Sequence, residues 1–170
     1  MSSVEHICSP ISQEELIRIR AVADFQFGRG CGSLLFPEIV SVIRSKKTGK
    51  VKNIYYRNQL LATLRPKDGY LALSLEGAKR LTSIIPPPKY RVLPREDVID
   101  FLKKGRNLFA KHVIDCDPEI RPGEEVIVSD QEGNIIAVGK AVLAGFEMKR
   151  FKNGVAVKIR KGEGAENEED

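Results

Sequence analysis

Three glycines recur at every second position in the segment FQFGRGCG, where Gly28, Gly30 and Gly32 surround Arg29. Glycine-rich loops bind phosphates because they let backbone N–H groups approach the anion. A dinucleotide loop, however, needs the pattern G-x-G-x-x-G between a strand and a helix. Here Ser33 stands where the third glycine should be, the segment follows a predicted helix, and the G-K-[ST] of a P-loop is absent. We therefore predict a helix end and a tight turn rather than a phosphate loop.

Carboxylates that could act as a general acid and base cluster in two segments. The clusters are EDVID, with Glu96, Asp97 and Asp100, and DCDPE, with Asp115, Asp117 and Glu119. Each lies at a predicted helix start or in a predicted turn, where acids commonly serve as caps and partners of the helix dipole. The two histidines lie in unrelated contexts and form no nucleophile–base pair. The sequence thus predicts structural carboxylates and no catalytic residues.

Metal-ligating residues are few and widely spaced. The three cysteines are Cys8, Cys31 and Cys116, and no C-x-x-C pair is present. His6 and Cys8 could supply two ligands, but closely spaced pairs are what zinc sites require. We expect no metal and no cofactor, and we expect three reduced thiols, with Cys31 and Cys116 at least partly buried.

Basic residues give the clearest functional signal. The net charge of +5 is uneven, because residues 163–170 (EGAENEED) hold five acids and no base; the preceding 162 residues therefore carry +10, five more than the whole chain. KKGRN (103–107) and MKRFKNG (148–154), the latter read as a hairpin, combine lysines and arginines with glycine, and Phe151 could stack on a base. A basic body of this kind favours a polyanionic partner.

The first half of the chain reads as a sheet with helices. Ser12 and Glu15 form a capping box that begins a helix over 13–26. Short strands joined by tight turns follow, and a second helix begins after Ser74. These elements predict an antiparallel meander with helices against one face.

Three consecutive prolines in IIPPPKY mark a domain boundary, since they cannot continue a helix. Beyond them we predict one helix from PREDVIDFLKKG and five or six short strands, with RNLFAKHVID as a single strand and Phe109 in the core. The predicted fold class is α+β: an N-terminal antiparallel sheet with packed helices, followed by a small β pseudobarrel. The predicted domains are 8–86 and 89–162, followed by an acidic disordered tail over 163–170.

The second region strongly resembles a PUA domain, a small RNA-binding pseudobarrel. The resemblance is carried by Gly105 after the first helix, RPGEEVIV (121–128), AVGKA (137–141) and GVAV (154–157), in that order. It implies an RNA groove lined by the helix–loop–strand segment and the last strands. Together with Phe151, the RNA-binding residues that it implies are Lys104, Gly105, Arg106, Asn107, Lys111, Arg150, Lys152 and Arg160.

The resemblance extends over residues 12–162 to the C-terminal part of archaeal tRNA-guanine transglycosylases, which make the archaeosine modification. It is carried by VADFQFGRGCGSLLFP, SKKTGKVKNI and LLATLRPKDGYLALSLEGAKRL. In that family a catalytic barrel, with aspartates and zinc cysteines, lies upstream of these domains. The chain therefore resembles the tRNA-docking half without the catalytic half.

The resulting expectation is a cytoplasmic, non-catalytic protein that binds structured RNA, with tRNA foremost, and presents it to a modification enzyme. One alternative is the RNA-binding subunit of a split transglycosylase or archaeosine-synthesis complex, with a separate catalytic subunit. A second alternative is a protein-interaction module without RNA binding. No apolar run approaches the roughly 20 residues of a membrane span, so we expect no membrane partner. The RNA species and the oligomeric state stay open.

Overall fold

The computed structural model describes residues 8–165, and the chain divides into two compact units between Ile84 and Ile85. None of the helices within residues 8–165 is long and apolar enough to cross a membrane.

Within residues 8–84, three helices and five strands form the N-terminal unit. The helices are α1 (Gln13–Phe27), α2 (Cys31–Leu35) and α3 (Leu75–Thr82). The strands are β1 (Ser9–Pro10), β2 (Ser41–Arg44), β3 (Val51–Tyr56), β4 (Gln59–Leu64) and β5 (Leu71–Leu73). The strands pair in chain order, and every pair is antiparallel. The predicted antiparallel sheet with packed helices is confirmed; β1 was not predicted, because two residues carry no alternation to detect.

The predicted capping box at the start of α1 is confirmed. The Glu15 N–H donates to Ser12 Oγ, and the Ser12 N–H donates to Glu15 Oε1, both at 3.1 Å. Glu15 also binds the Arg44 guanidinium at 2.5 Å, which joins α1 to β2. The hydrogen bond from Arg44 lowers the pKa of Glu15.

The glycine segment is a turn between two helices. Gly28 ends α1, and its N–H donates to the Asp24 carbonyl at 2.9 Å. Gly30 takes the left-handed conformation, with a φ of 89°, just before α2, a helix that was not predicted. Asp24 Oδ1 accepts the Gly32 N–H at 2.6 Å. An anion at this helix start would therefore meet the protein's own carboxylate, which is consistent with a turn rather than a phosphate loop.

Gly77 allows α3 to lie directly on the sheet. A Cβ at this position would be 2.0 Å from the Leu61 carbonyl oxygen, an atom of the β4 backbone. That oxygen already accepts the Ser74 N–H at 3.0 Å, so it cannot move away without breaking the start of α3.

Replacing Gly77 with alanine is expected to lower the free energy of unfolding of the N-terminal unit by about 2 kcal/mol or more. Alanine gains roughly 1 kcal/mol over glycine in an ordinary helix, but forcing an atom into a packed backbone contact costs more. Urea denaturation measures the change. Lys79→Ala, in the same helix with an exposed side chain, should stay within about 0.5 kcal/mol of the original chain. A Gly77→Ala protein more stable than the original would contradict this packing.

The C-terminal unit is a six-stranded sheet with short helices. In chain order its elements are β6 (Arg91–Pro94), a 3-10 turn (Glu96–Val98), α4 (Ile99–Lys103), β7 (Leu108–Phe109), a 3-10 turn (Ala110–His112), β8 (Val113–Cys116), β9 (Glu125–Ser129), β10 (Ile135–Ala141), α5 (Gly145–Met148) and β11 (Val155–Gly162). Across residues 85–165 the strand order is β7-β11-β10-β9-β6-β8, in which the β6–β9 pair is parallel and the other pairs are antiparallel.

The two edges of this sheet lie close together. Strands β7 and β8 are at opposite ends of the strand order, yet only the three residues Ala110–His112 join them. From Phe109 to Val113 the chain advances four residues, which span about 14 Å at most. The sheet is therefore curled into a nearly closed barrel, and its interior is filled by apolar side chains such as Val92, Leu102 and Val128. The predicted pseudobarrel is confirmed.

Two predictions of local structure in this unit were wrong. RNLFAKHVID is not one strand, because the 3-10 turn at Ala110–His112 carries the chain from one sheet edge to the other. MKRFKNG is not a hairpin: Met148 ends α5, and the following residues turn into β11. The α5 start is fixed by Glu147, whose Oε2 accepts the Ala144 N–H at 2.9 Å.

Candidate nucleic-acid interface

The loop after α4 presents two of the predicted RNA-binding residues to solvent. Gly105 takes a φ of 89°, and its N–H donates to the Leu102 carbonyl at 2.9 Å. The Arg106 N–H donates to the Phe101 carbonyl at 3.1 Å, so the loop satisfies the last carbonyls of the helix. Lys104 and Arg106, on either side of Gly105, are both exposed. The glycine therefore ends the helix and leaves a cation on each side of the turn.

Two contacts join this loop to the last strand. Asn107 Oδ1 accepts the Ile159 N–H of β11 at 3.0 Å. Further along, the Ala110 N–H donates to the Gly154 carbonyl at 2.9 Å. Residues 107–110 and 154–159, about 50 residues apart in sequence, thus lie together at one edge of the sheet, which we call the β7–β11 edge. Since the Asn107 oxygen is used within the fold, its NH₂ group is what it can offer to RNA.

Phe109 lies on this edge and is 44% exposed, so its predicted place in the core was wrong. The strand period of two explains the error, because Leu108 and Ala110 are buried and the residue between them must point the other way. Phe109 pairs with Val155 of β11. An exposed ring among cations is a platform on which a base can stack, and the alternation Leu-Phe-Ala was the signal available in the sequence.

The connection from α5 to β11 carries three predicted residues. Arg150, Phe151 and Lys152 are all exposed. The N–H groups of Arg150 and Phe151 both donate to the Glu147 carbonyl, at 3.0 and 2.9 Å, which fixes the turn. Lys111, in the 3-10 turn that follows β7, is exposed as well.

Arg160 is held differently from the other cations. Its Nη1 and Nη2 lie 2.9 and 2.6 Å from the two carboxylate oxygens of Glu125, and the Glu125 side chain is only 1% exposed. Because β10 lies between β11 and β9, this ion pair spans three strands. Glu125 therefore compensates part of the positive charge of Arg160, whereas Lys158, two residues earlier on β11, is exposed.

The carboxylate clusters have structural partners. Asp117 is buried, and its two oxygens accept the Tyr90 and Glu119 N–H groups at 2.9 Å each. Asp97 pairs with Arg95 at 2.9 Å. Asp117 thus has a structural role in a turn, as predicted, whereas Asp97 forms an ion pair with Arg95 and does not cap the 3-10 turn that begins at Glu96.

Within residues 8–165 no group of three His, Cys, Asp or Glu side chains is arranged to hold a metal ion. His6, one of the two ligands considered above, lies outside the described residues. Cys31 and Cys116 are buried thiols, as predicted.

The chain is similar to known proteins along most of its length. Residues 17–88 match the patch-forming domain C2 of tRNA-guanine transglycosylase, and residues 90–162 match the PUA domain. The tRNA-guanine(15) transglycosylase of Methanothermobacter thermautotrophicus is 44% identical over 149 residues, which are 88% of this chain but 23% of the relative. The chain thus spans about a quarter of the length of the curated relatives that it matches.

Two solved structures share the fold. A hypothetical protein from Pyrococcus horikoshii has a TM-score of 0.72 at 21% identity, over 92% of this chain and 94% of its own. A conserved PUA domain protein from Thermoplasma acidophilum has a TM-score of 0.66 at 23% identity, over 92% of this chain and 93% of its own. The chain thus matches a transglycosylase C2 domain followed by a PUA domain, and it is homologous to the C-terminal part of the archaeal tRNA-guanine transglycosylases, outside their catalytic barrel.

Proposed function

We propose that this chain binds structured RNA, with tRNA as its physiological class, through the β7–β11 edge, and that it presents the RNA to a modification enzyme without catalysis of its own. The observation that carries the proposal is that the Asn107–Ile159 and Ala110–Gly154 hydrogen bonds join two distant basic segments, residues 104–111 and 150–160, at one edge. Arginine and lysine are the residues that bind RNA phosphates. The names of the relatives support tRNA as the class of RNA.

The proposed contacts fall into two kinds. The RNA phosphates are bound by five exposed cations: Lys104, Arg106, Lys111, Arg150 and Lys152. Gly105 lets the protein backbone approach the RNA, and Asn107 donates a hydrogen bond from its amide. Phe151 and Phe109 stack on unpaired bases of the RNA. Arg160 contributes through the part of its side chain that stays exposed beside Glu125.

A fluorescence-anisotropy titration of labelled tRNA at about 50 and 200 mM salt tests this function. If about four phosphates are contacted, the affinity should fall roughly a hundredfold between these salt concentrations, because counterions are released on binding. An unstructured oligouridine of the same length, run in parallel, should bind more weakly at both. Absence of tRNA binding, or an affinity that does not change with salt concentration, would contradict the proposal and favour a protein-interaction module.

A second candidate is the RNA-binding subunit of a split transglycosylase. It is favoured by the homology of 88% of this chain to part of a tRNA-guanine(15) transglycosylase. A transglycosylase truncated after its catalytic barrel should then incorporate labelled guanine into tRNA faster when this chain is added in trans. Equal rates with and without the chain would remove this candidate and leave RNA binding itself untouched.

A further inference from the structure

The end of β11 lies against the end of α4, next to the basic loop KKGRN (103–107). The Gly164 N–H donates to the Lys103 carbonyl at 2.9 Å, and Lys103 Nζ lies 3.3 Å from Glu163 Oε2. A Cβ at Gly162 would be 2.2 Å from the same Lys103 carbonyl oxygen, so the two backbones are in contact. The chain therefore leaves β11 beside the first cation of this loop.

Two further contacts hold Ala165, the last described residue, at this place. Its N–H donates to the Gly162 carbonyl at 3.2 Å, and its own carbonyl accepts from Lys161 Nζ at 3.3 Å. The chain continues from this point into residues 166–170, which we call the ENEED segment and which lie outside the described residues. Four of these five residues are acids.

The cations of the loop lie within reach of these acids. Arg106 follows Lys103 by three residues, so their Cα atoms are at most about 11 Å apart, whereas five residues of extended chain span about 17 Å. Within residues 8–165, Lys104 and Arg106 are exposed and form no ion pair, whereas Lys103 pairs with Glu163. Two cations proposed to bind RNA are thus open to a carboxylate that follows Ala165.

Carboxylate and phosphate oxygens compete for the same guanidinium and ammonium groups. We propose that the ENEED segment binds Lys104 and Arg106 in the free protein, so that RNA must displace an acidic competitor that the chain itself carries. The Lys103–Glu163 ion pair is the first contact of this kind along the chain. Because the segment is tethered next to the loop, its effective concentration there is in the millimolar range, and weak exposed pairs suffice. This inference rests on the proposed RNA binding and adds an internal inhibitor to it.

Neutralising two acids without shortening the chain tests the competition. Glu168→Gln combined with Glu169→Gln should raise tRNA affinity about three- to tenfold at about 50 mM salt, because RNA then displaces a weaker competitor. The gain should shrink below about twofold at about 200 mM salt, where ions screen exposed pairs. The matched control, Glu14→Gln with Glu38→Gln, neutralises two exposed acids of the N-terminal unit. It should change tRNA affinity less than about twofold at either salt concentration.

A second background separates local competition from net charge. In a chain that carries Lys104→Gln and Arg106→Gln, the change at Glu168 and Glu169 should leave tRNA affinity within about 1.5-fold, because the cations that the acids bind are gone. An equal gain in both backgrounds would show that the acids act only through the overall charge, and it would overturn the proposal.

A measurement on the free protein needs no RNA. In two-dimensional amide NMR spectra, the Glu168→Gln and Glu169→Gln chain should differ from the original chain at the backbone signals of Lys104 and Arg106. The difference should be present at about 50 mM salt and fade at about 200 mM. The signal of Lys67, in the N-terminal unit, should stay in place.

The outcomes separate this inference from the proposed function. Unchanged signals of Lys104 and Arg106, together with salt-dependent tRNA binding, overturn the internal inhibitor and keep the RNA-binding function. Changed signals without any tRNA binding overturn the RNA-binding function and support the contact between the ENEED segment and the loop.

Discussion

Replacing Arg160 with methionine is expected to lower the free energy of unfolding of the C-terminal unit by about 2–4 kcal/mol. Breaking a buried ion pair typically costs about 3–5 kcal/mol, because the remaining charge loses its partner in a region of low dielectric. The Glu125 side chain is 1% exposed and the Arg160 side chain 36% exposed, so water screens one end of this pair and the lower part of the range applies.

A double-mutant cycle measured by urea denaturation tests this expectation. Lys158→Met is the matched control, since it removes an exposed cation from the same strand, and it should change stability by no more than about 0.5 kcal/mol. Arg160→Met combined with Glu125→Leu should recover much of the loss, because no buried charge is then left behind. A fully additive cycle would mean that the two side chains do not interact. The result also matters for RNA-binding measurements, since an unstable Arg160 variant would lose RNA binding through unfolding and not through loss of an RNA contact.

Helices and strands whose sequence pattern lies entirely within the element were predictable from the sequence. The Ser12–Glu15 capping box fixed the start of α1, and alternation with tight turns gave β3 and β4 nearly residue by residue. α2 was missed, because five residues after a glycine turn carry too little periodicity to be recognised. β1 was missed for the same reason.

What escaped prediction depends on pairing between distant segments. The break of RNLFAKHVID into two strands follows from closure of the sheet, since β7 pairs with β11 and β8 pairs with β6. The Arg160–Glu125 pair joins two strands through a third, and only the register of the folded sheet brings these residues within 3 Å. The sequence indicated which side chains are cations, but it could not indicate which of them has an internal partner.

Reversing the charge of Arg106 is expected to reduce tRNA affinity on the order of 10- to 100-fold. Arg106→Glu removes one phosphate contact and places a carboxylate where the RNA backbone is negative, so attraction becomes repulsion. Because Arg106 is exposed, its replacement should leave the melting temperature nearly unchanged. The Asn107–Ile159 hydrogen bond next to it holds the loop in place in the variant as in the original chain.

The measurement is the tRNA titration at several salt concentrations, with Lys67→Glu as the control for net charge. Lys67 is an exposed lysine in the turn between β4 and β5 of the N-terminal unit, and its reversal should cost less than about threefold. Losing one phosphate contact should also reduce the slope of log affinity against log salt by about 0.9. Arg106→Glu combined with Lys152→Glu should lose roughly the product of the two single effects, as expected for separate contacts on one RNA. Equal losses at Lys67 and Arg106 would show that only overall charge matters, and the β7–β11 edge would then not be the site where RNA binds.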